Sequence, residues 1–185
     1  IIEMPVYLKW LMHQFDNLGG TSELKTVTAF SEIPNEFDIV VNCTGLESGS
    51  LLNDTEVFPI RGQVLRVKTD VKEMHLDQQI PTLAYIVPRS NDMILGGVAQ
   101  QDDWNLVPTK EDSDFILEKC SQLIPELKDV EIIEELVGLR PGRSSVRLDK
   151  EIVSDRPLIH NYGHGGSGVT LSWGCADDVV RLANE

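Results

Sequence analysis

The chain has 185 residues, with 16 Lys and Arg against 30 Asp and Glu and a formal charge of -14 at neutral pH. That balance excludes a nucleic-acid binder as the default reading, because neutralising phosphates requires a surplus of Lys and Arg on at least one face. With 41% hydrophobic residues and 14 Gly and 9 Pro spread along it, the sequence is ordinary globular material, long enough for one good-sized core or two small ones.

The predicted elements begin with an amphipathic helix. Pro5 suits a first helical turn, Val6, Tyr7, Trp10, Leu11 and Phe15 recur at spacings of one, three and four, and Gly19 and Gly20 end the pattern. Lys25 to Phe30 alternates weakly and predicts a strand, while Phe37 to Cys43 is a short apolar run of the kind buried on both faces of a parallel sheet. The middle of the chain has a different texture. Gln63 to Lys68 alternates apolar and polar, Leu83 to Val87 is β-branched and aromatic, and Met93 to Val98 is another apolar run, which predicts antiparallel strands with one solvated face. Glu111 to Ile124 reads as a helix stopping before Pro125, and Val130 to Leu139 returns to strand. The last stretch runs from a short strand at Leu158 and Ile159 through a glycine-rich turn, Gly163 to Gly168, into a helix from Val169 to Leu182.

Cys43, Cys120 and Cys175 are an odd count at wide spacing, which fits neither a disulfide framework nor a paired-thiolate zinc site and favours a reducing compartment. The longest uncharged stretch, Pro157 to Ala176, carries five glycines, two histidines and two serines, so its hydropathy is too low for a membrane helix. Ile1 opens the chain and neither terminus matches a leader or an address signal, so the sequence reads as a piece of a longer protein.

Two segments carry chemistry. Gly163-His164-Gly165-Gly166-Ser167-Gly168 satisfies G-x-G-x-x-G between a strand and a helix. Too little chain follows Gly168 for a second strand and an acidic ribose ligand, which disfavours a nicotinamide dehydrogenase. A close helix-sheet contact is the plain alternative. The free amides of a helix N-terminus still favour an anion or an electron-rich ring edge such as that of a reduced flavin. In Gly138-Leu139-Arg140-Pro141-Gly142-Arg143, an arginine at a strand end, followed by residues that fix a turn, is a mount for a guanidinium fork that grips a carboxylate. A structural ion pair is the favoured reading for Arg143 and Arg147, and it stays open for Arg140. Tyr85, on a strand, offers a phenol or simply packs. The four histidines lack metal-ligand spacing, no metal site is expected, and His164 reads as a packing residue rather than a base.

Taken together, VVNCTGLESGSLL (Val40 to Leu52), PIRGQVLRV (Pro59 to Val67), AYIVP (Ala84 to Pro88), ILGGVAQQDDWN (Ile94 to Asn105), GLRPGRSSVRL (Gly138 to Leu148) and IHNYGHGGSGVTLSWGCA (Ile159 to Ala176) resemble the FAD-dependent D-amino-acid oxidase and D-aspartate oxidase family. The six segments follow the family's order and cover nearly the whole chain. The resemblance implies an α/β (α+β) fold: a partial FAD-binding α/β region plus a mixed, largely antiparallel substrate-binding sheet. The corresponding division is residues 1–58 in the FAD-binding part, 59–138 in the substrate-binding sheet and 139–185 back in the FAD-binding part. The family's N-terminal phosphate loop has no counterpart here, so this piece is not expected to retain FAD tightly by itself.

By resemblance, Arg140 grips the substrate α-carboxylate, Tyr85 hydrogen-bonds the same group and the Gly166 carbonyl receives the amine. Gly165, Gly166, Gly168, Val169 and Thr170 fall on the flavin-contacting turn and helix start, and Cys43, Thr44 and Gly45 on the strand end beside the cofactor. A second tyrosine found in many D-amino-acid oxidases is replaced by Pro81. Where D-aspartate oxidases carry an arginine for the side-chain carboxylate this sequence has Ala99, and a second basic position aligns with Gln78. An acidic side chain left unpaired in a desolvated pocket costs roughly a few kcal/mol, so neutral D-amino acids are the expected substrates, with D-aspartate the alternative. The implied reaction takes a D-amino acid and O2 to a 2-oxo acid, ammonia and hydrogen peroxide. No nucleic-acid or membrane partner is expected, a homodimer is compatible, and the family's usual home is the peroxisome, otherwise the cytoplasm. The competing class is a catalytically silent fragment acting only as a binding module.

Overall fold

A computed structural model describes residues 2–77 and 84–185. Gln78, Pro81 and Leu83, the first residue of one predicted strand, lie outside these described residues. Among the described residues four α-helices, α1 (Met4–Asn17), α2 (Ser48–Leu52), α3 (Lys110–Leu123) and α4 (Gly168–Asn184), accompany eight strands. The strands are β1 (Val40–Asn42), β2 (Phe58–Lys68), β3 (His75–Asp77), β4 (Ala84–Pro88), β5 (Met93–Gly96), β6 (Gln100–Gln101), β7 (Glu131–Val153) and β8 (Arg156–His164). They form one sheet in the order β1-β8-β7-β2-β5-β4-β3, with β6 paired to β2. The β1-β8 pair is parallel and every other pair is antiparallel, the mixed, largely antiparallel arrangement expected from the sequence.

The core follows from strand alternation. Leu65 and Val67 of β2, Ile86 of β4, and Met93 and Leu95 of β5 project to one face and meet Ile116 and Cys120, one turn apart on α3. Burying each aliphatic side chain contributes roughly 1.5–3 kcal/mol. Thr109 caps α3, its hydroxyl oxygen accepting from the Asp112 amide, and Ile124 is extended because Pro125 follows it.

Three expectations need correction. Lys25 to Phe30 forms no strand. The Glu32 carboxylate accepts from the Thr28 amide and hydroxyl, and Phe30–Glu32 closes a 3-10 turn, so local side-chain bonds replace a ladder. Arg140 does not stand at a strand end, because β7 continues through Pro141 and Gly142. Pro141 lies opposite Pro59, a pair in which neither residue has an N–H to place, and at Gly142 the strand passes from β2 to β8 as its partner. The strand at Leu158 and Ile159 is nine residues long, since β7 pairs with it from Arg156 to His164, and its buried His160 is satisfied by Glu151 at 2.9 Å and Asn42 at 3.3 Å. Helix α1 forms where Pro5 and Gly19 place it, but none of its residues is buried.

Arg143 and Arg147 are structural, as their chemistry favoured. Arg143 pairs with Asp54 at 3.0 Å and Glu56 at 3.2 Å, and Arg147 pairs with Asp149 and donates to the Tyr162 oxygen at 3.1 Å. Asp54 also accepts from Tyr162 at 2.7 Å. Burial by itself raises the Asp54 carboxyl, but the hydrogen bonds from Tyr162, the Glu56 amide and Arg143 outweigh it and hold the group below the ordinary carboxylate value. A depressed folded value means that stability is present at neutral pH and lost as the pH falls through it. Asp54→Asn is therefore expected to lower stability at pH 7 by about 1–3 kcal/mol and to flatten the acid limb of a Tm-against-pH curve, measured by calorimetry.

Candidate active site

The register of the sheet brings the candidate residues together. Ile60 lies opposite Arg140 across β2 and β7, with Gly62 opposite Gly138, and Tyr85 lies opposite Gly96 across β4 and β5, with Gly96 in turn opposite Val64. Alternation puts Arg140, Gly62, Gly96 and Tyr85 on one face. The Arg140 side chain lies over Gly62, where a Cβ would fall far inside van der Waals contact with its Nη1. The Tyr85 ring lies over Gly96 and Gly97 in the same way. Glycine at these positions is the space in which two long side chains lie flat on the sheet.

Arg140, Tyr85 and Gly166 line one cavity of about 890 Å³, together with Ala99, Gln100 and Phe115. Arg140 Nη1 donates to the Val98 carbonyl at 3.3 Å, and the guanidinium lies near enough to the Tyr85 phenol to favour its charged form. Among the described residues Arg140 meets no carboxylate, although the chain holds 30 acidic residues. A partly buried guanidinium with no ion-pair partner among the described residues is a standing site for an external anion. Desolvation pushes the Tyr85 phenol above its ordinary value, partly offset by Arg140, so at neutral pH it is a neutral hydroxyl able to donate.

The glycine segment divides. Gly163 and His164 belong to β8, Gly165–Ser167 form one 3-10 turn, and α4 starts at Gly168. Both this turn and the one at Gly45–Glu47, which follows Cys43 and Thr44, pack on β7. Gly45 lies beside Pro141 and Gly166 beside Arg140 Cδ, so the strand end, the glycine turn and the guanidinium occupy one end of the sheet. Gly45 at φ 62° and Gly165 at φ 54° adopt the left-handed region that favours glycine. No side chain caps α4, so the amides of its first turn, at Gly168, Val169 and Thr170, have no side-chain acceptor and lie beside side-chain-free backbone. That is a surface fitted to a flat ring with electron-rich edge atoms, and it fits the isoalloxazine of FAD.

Thr44 is held by Asn42, whose side-chain oxygen accepts from the Thr44 amide at 3.1 Å and hydroxyl at 2.8 Å. His164 contacts the Cys175 sulfur at 3.4 Å, and desolvation lowers its value, so it is neutral at pH 7. Sequence reasoning missed Val98 and Gly62, which aim Arg140. The LGG-V segment was recognised, but a backbone acceptor and an absent Cβ leave no chemical signature. No helix among the described residues is long and apolar enough to cross a membrane, and none of their His, Cys, Asp and Glu side chains cluster to hold a metal.

Comparison with known proteins agrees with this architecture. The family model described as FAD dependent oxidoreductase matches residues 1–182. A D-amino-acid oxidase of Rubrobacter xylanophilus is 46% identical across 99% of this chain and 57% of its own length. A human D-aspartate oxidase is 41% identical across 99% of this chain and 54% of its own length. The glycine oxidase of Geobacillus kaustophilus superposes with a TM-score of 0.68 at 21% identity, covering 79% of this chain and 41% of that one, a likeness of fold. The chain spans about half the length of these curated relatives. By sequence along nearly its full extent and by fold, the chain belongs to the FAD dependent oxidoreductase family that includes the D-amino-acid and D-aspartate oxidases.

Proposed function

We propose that this chain supplies the substrate pocket and part of the flavin site of an oxidase that deaminates D-amino acids with neutral side chains to 2-oxo acids, ammonia and hydrogen peroxide. The observation that carries the reading is the convergence of Arg140, Tyr85 and Gly166 on one cavity, with no carboxylate paired to Arg140 among the described residues.

In this reading Arg140 forks the α-carboxylate and Tyr85 donates its hydroxyl to the same group, while the Gly166 carbonyl accepts from the amine. With carboxylate and amine both fixed, the Cα–H bond has one orientation left, and alignment does the work that a general base would otherwise do. Gly165, Gly168, Val169 and Thr170, with Cys43, Thr44 and Gly45, would hold the FAD ring system, the α4 amides stabilising negative charge on its edge. When bound, FAD supplies the hydride acceptor and passes the electrons to O2.

Two features support neutral side chains. Ala99 lines the cavity without a charge, and Arg140 is the one cation lining it among the described residues. Arg61 lies close by, but it is fully buried and paired with Asp112 at 2.6 Å, so it has no charge to lend to a second carboxylate. D-aspartate is the second reading, favoured by the human relative. The same proposal extends to the division at residues 58 and 138, to a homodimer and to a peroxisomal home.

The test is a substrate panel on the full-length, FAD-loaded protein. D-alanine and D-proline are expected to bleach the flavin absorbance anaerobically and to turn over faster than D-aspartate. Faster oxidation of D-aspartate would overturn the neutral preference, and a flavin bleached by none of them would overturn the oxidase.

A further inference from the structure

Arg61 is one of the largest fully buried side chains in the molecule, and the reaction as described makes no use of it. All of its nitrogens are engaged. Nε donates to the Asn105 carbonyl at 2.8 Å, Nη1 to Gln100 Oε1 at 2.5 Å and Asp112 Oδ2 at 2.6 Å, and Nη2 to Gln63 Oε1 and the Val107 carbonyl, both at 3.0 Å. Gln100 Nε2 in turn donates to Asp112 Oδ1 at 3.0 Å, and the Thr109 hydroxyl to Asp112 Oδ2 at 2.8 Å. One guanidinium thereby ties β2, β6, the loop after β6 and the first turn of α3.

What this clamp holds follows from the register. β5 and β6 pair with the same strand, Gly96 opposite Val64 and Gln100 opposite Arg61. Between those two pairs, Gly97, Val98 and Ala99 stand against only Gly62 and Gln63, so three residues oppose two and the segment must bulge. The bulge carries the Val98 carbonyl that receives Arg140 and the Ala99 wall of the cavity. Its start is fixed by the Tyr85 ring on Gly96 and Gly97. Its end is fixed by Gln100, and Gln100 is held by Arg61.

We infer that Arg61 is a positioning residue for the substrate pocket: by clamping Gln100 and Asp112 from beneath the sheet, it sets the Gly97–Ala99 bulge and through Val98 the aim of Arg140. The inference rests on the oxidase reading for its substrate, but the geometry concerns carboxylate binding alone. Lys in place of Arg61 keeps the charge opposite Asp112 and loses the fork, because one ammonium cannot reach Gln100, Asp112 and two backbone carbonyls together.

In the full-length, FAD-loaded protein, Arg61→Lys is expected to raise KM for D-alanine and the Kd of a plain carboxylate, isobutyrate, by about tenfold each, with kcat within about threefold of the parent. Gln100→Met, which leaves the Arg61-Asp112 pair intact and so secures folding, should move both constants in the same direction by a smaller factor. A lowered Tm with KM and Kd unchanged in either soluble variant would reduce Arg61 to a structural residue and overturn the inference. Parent protein that binds isobutyrate and oxidises no D-amino acid would instead overturn the oxidase, and the isobutyrate Kd would still decide the role of Arg61.

Discussion

Arg140→Met is expected to lower kcat/KM for D-alanine by roughly 10- to 150-fold, the range set by losing a charge-assisted hydrogen-bonded pair of about 1.5–3 kcal/mol. The loss should appear mainly in KM, because the α-carboxylate is bound in the ground state as well as during the reaction. Stability should stay within about 1 kcal/mol of the parent, since no carboxylate among the described residues loses a partner. The atoms that Arg140 does meet tolerate its removal: the Val98 carbonyl borders an open cavity where water can replace the lost donor, and Tyr85 keeps its packing on Gly96 and Gly97. Methionine fills the aliphatic length of the original side chain over Gly62. Steady-state kinetics beside calorimetric Tm makes the measurement. A variant with the parent's kcat/KM would remove Arg140 from the site, and a Tm fallen by many degrees would mean that its charge was structural.

Much of the frame was legible in the sequence because it is written in short-range signals. The alternation of Gln63 to Lys68, the helical spacing of Glu111 to Ile124 with its stop before Pro125, and the apolar runs at Ala84 and Met93 are local patterns, and the structure forms β2, α3, β4 and β5 there. Lys25 to Phe30 failed because alternation measures a preference, while a strand needs a neighbour, and Glu32 offered the Thr28 backbone a closer partner. Pro141 and Gly142 misled for the opposite reason. Both are breakers in isolation, yet in a strand that is changing partners the missing N–H falls opposite Pro59 and the flexible glycine sits at the crossover. At the site, the chemical identity of Arg140 and Tyr85 is a sequence property, but their convergence across four strands depends on register. The bulge that carries Ala99 is likewise invisible until β5 and β6 are seen to share β2.

Gly62→Ala should reproduce most of the Arg140→Met defect without touching the arginine. A Cβ at Gly62 would sit inside contact distance of Arg140 Nη1, Nη2 and Cζ. These are the far atoms of a flexible side chain, so the guanidinium gives way and the backbone does not. Gly62 lies in the middle of β2 with φ in the ordinary extended range, where alanine costs nothing in conformation and restricts the unfolded chain. Stability should accordingly change by less than about 1 kcal/mol, whereas the displaced guanidinium loses Val98 and its line to a substrate carboxylate, lowering kcat/KM by about 10- to 100-fold. The decisive measurement is the double variant. If alanine acts only by moving Arg140, then Gly62→Ala in the Arg140→Met background removes almost nothing further, a non-additivity as large as the single effect. Full additivity would show that Gly62 acts on the sheet or the cavity by another route, and that Arg140 reaches its carboxylate without lying over the glycine.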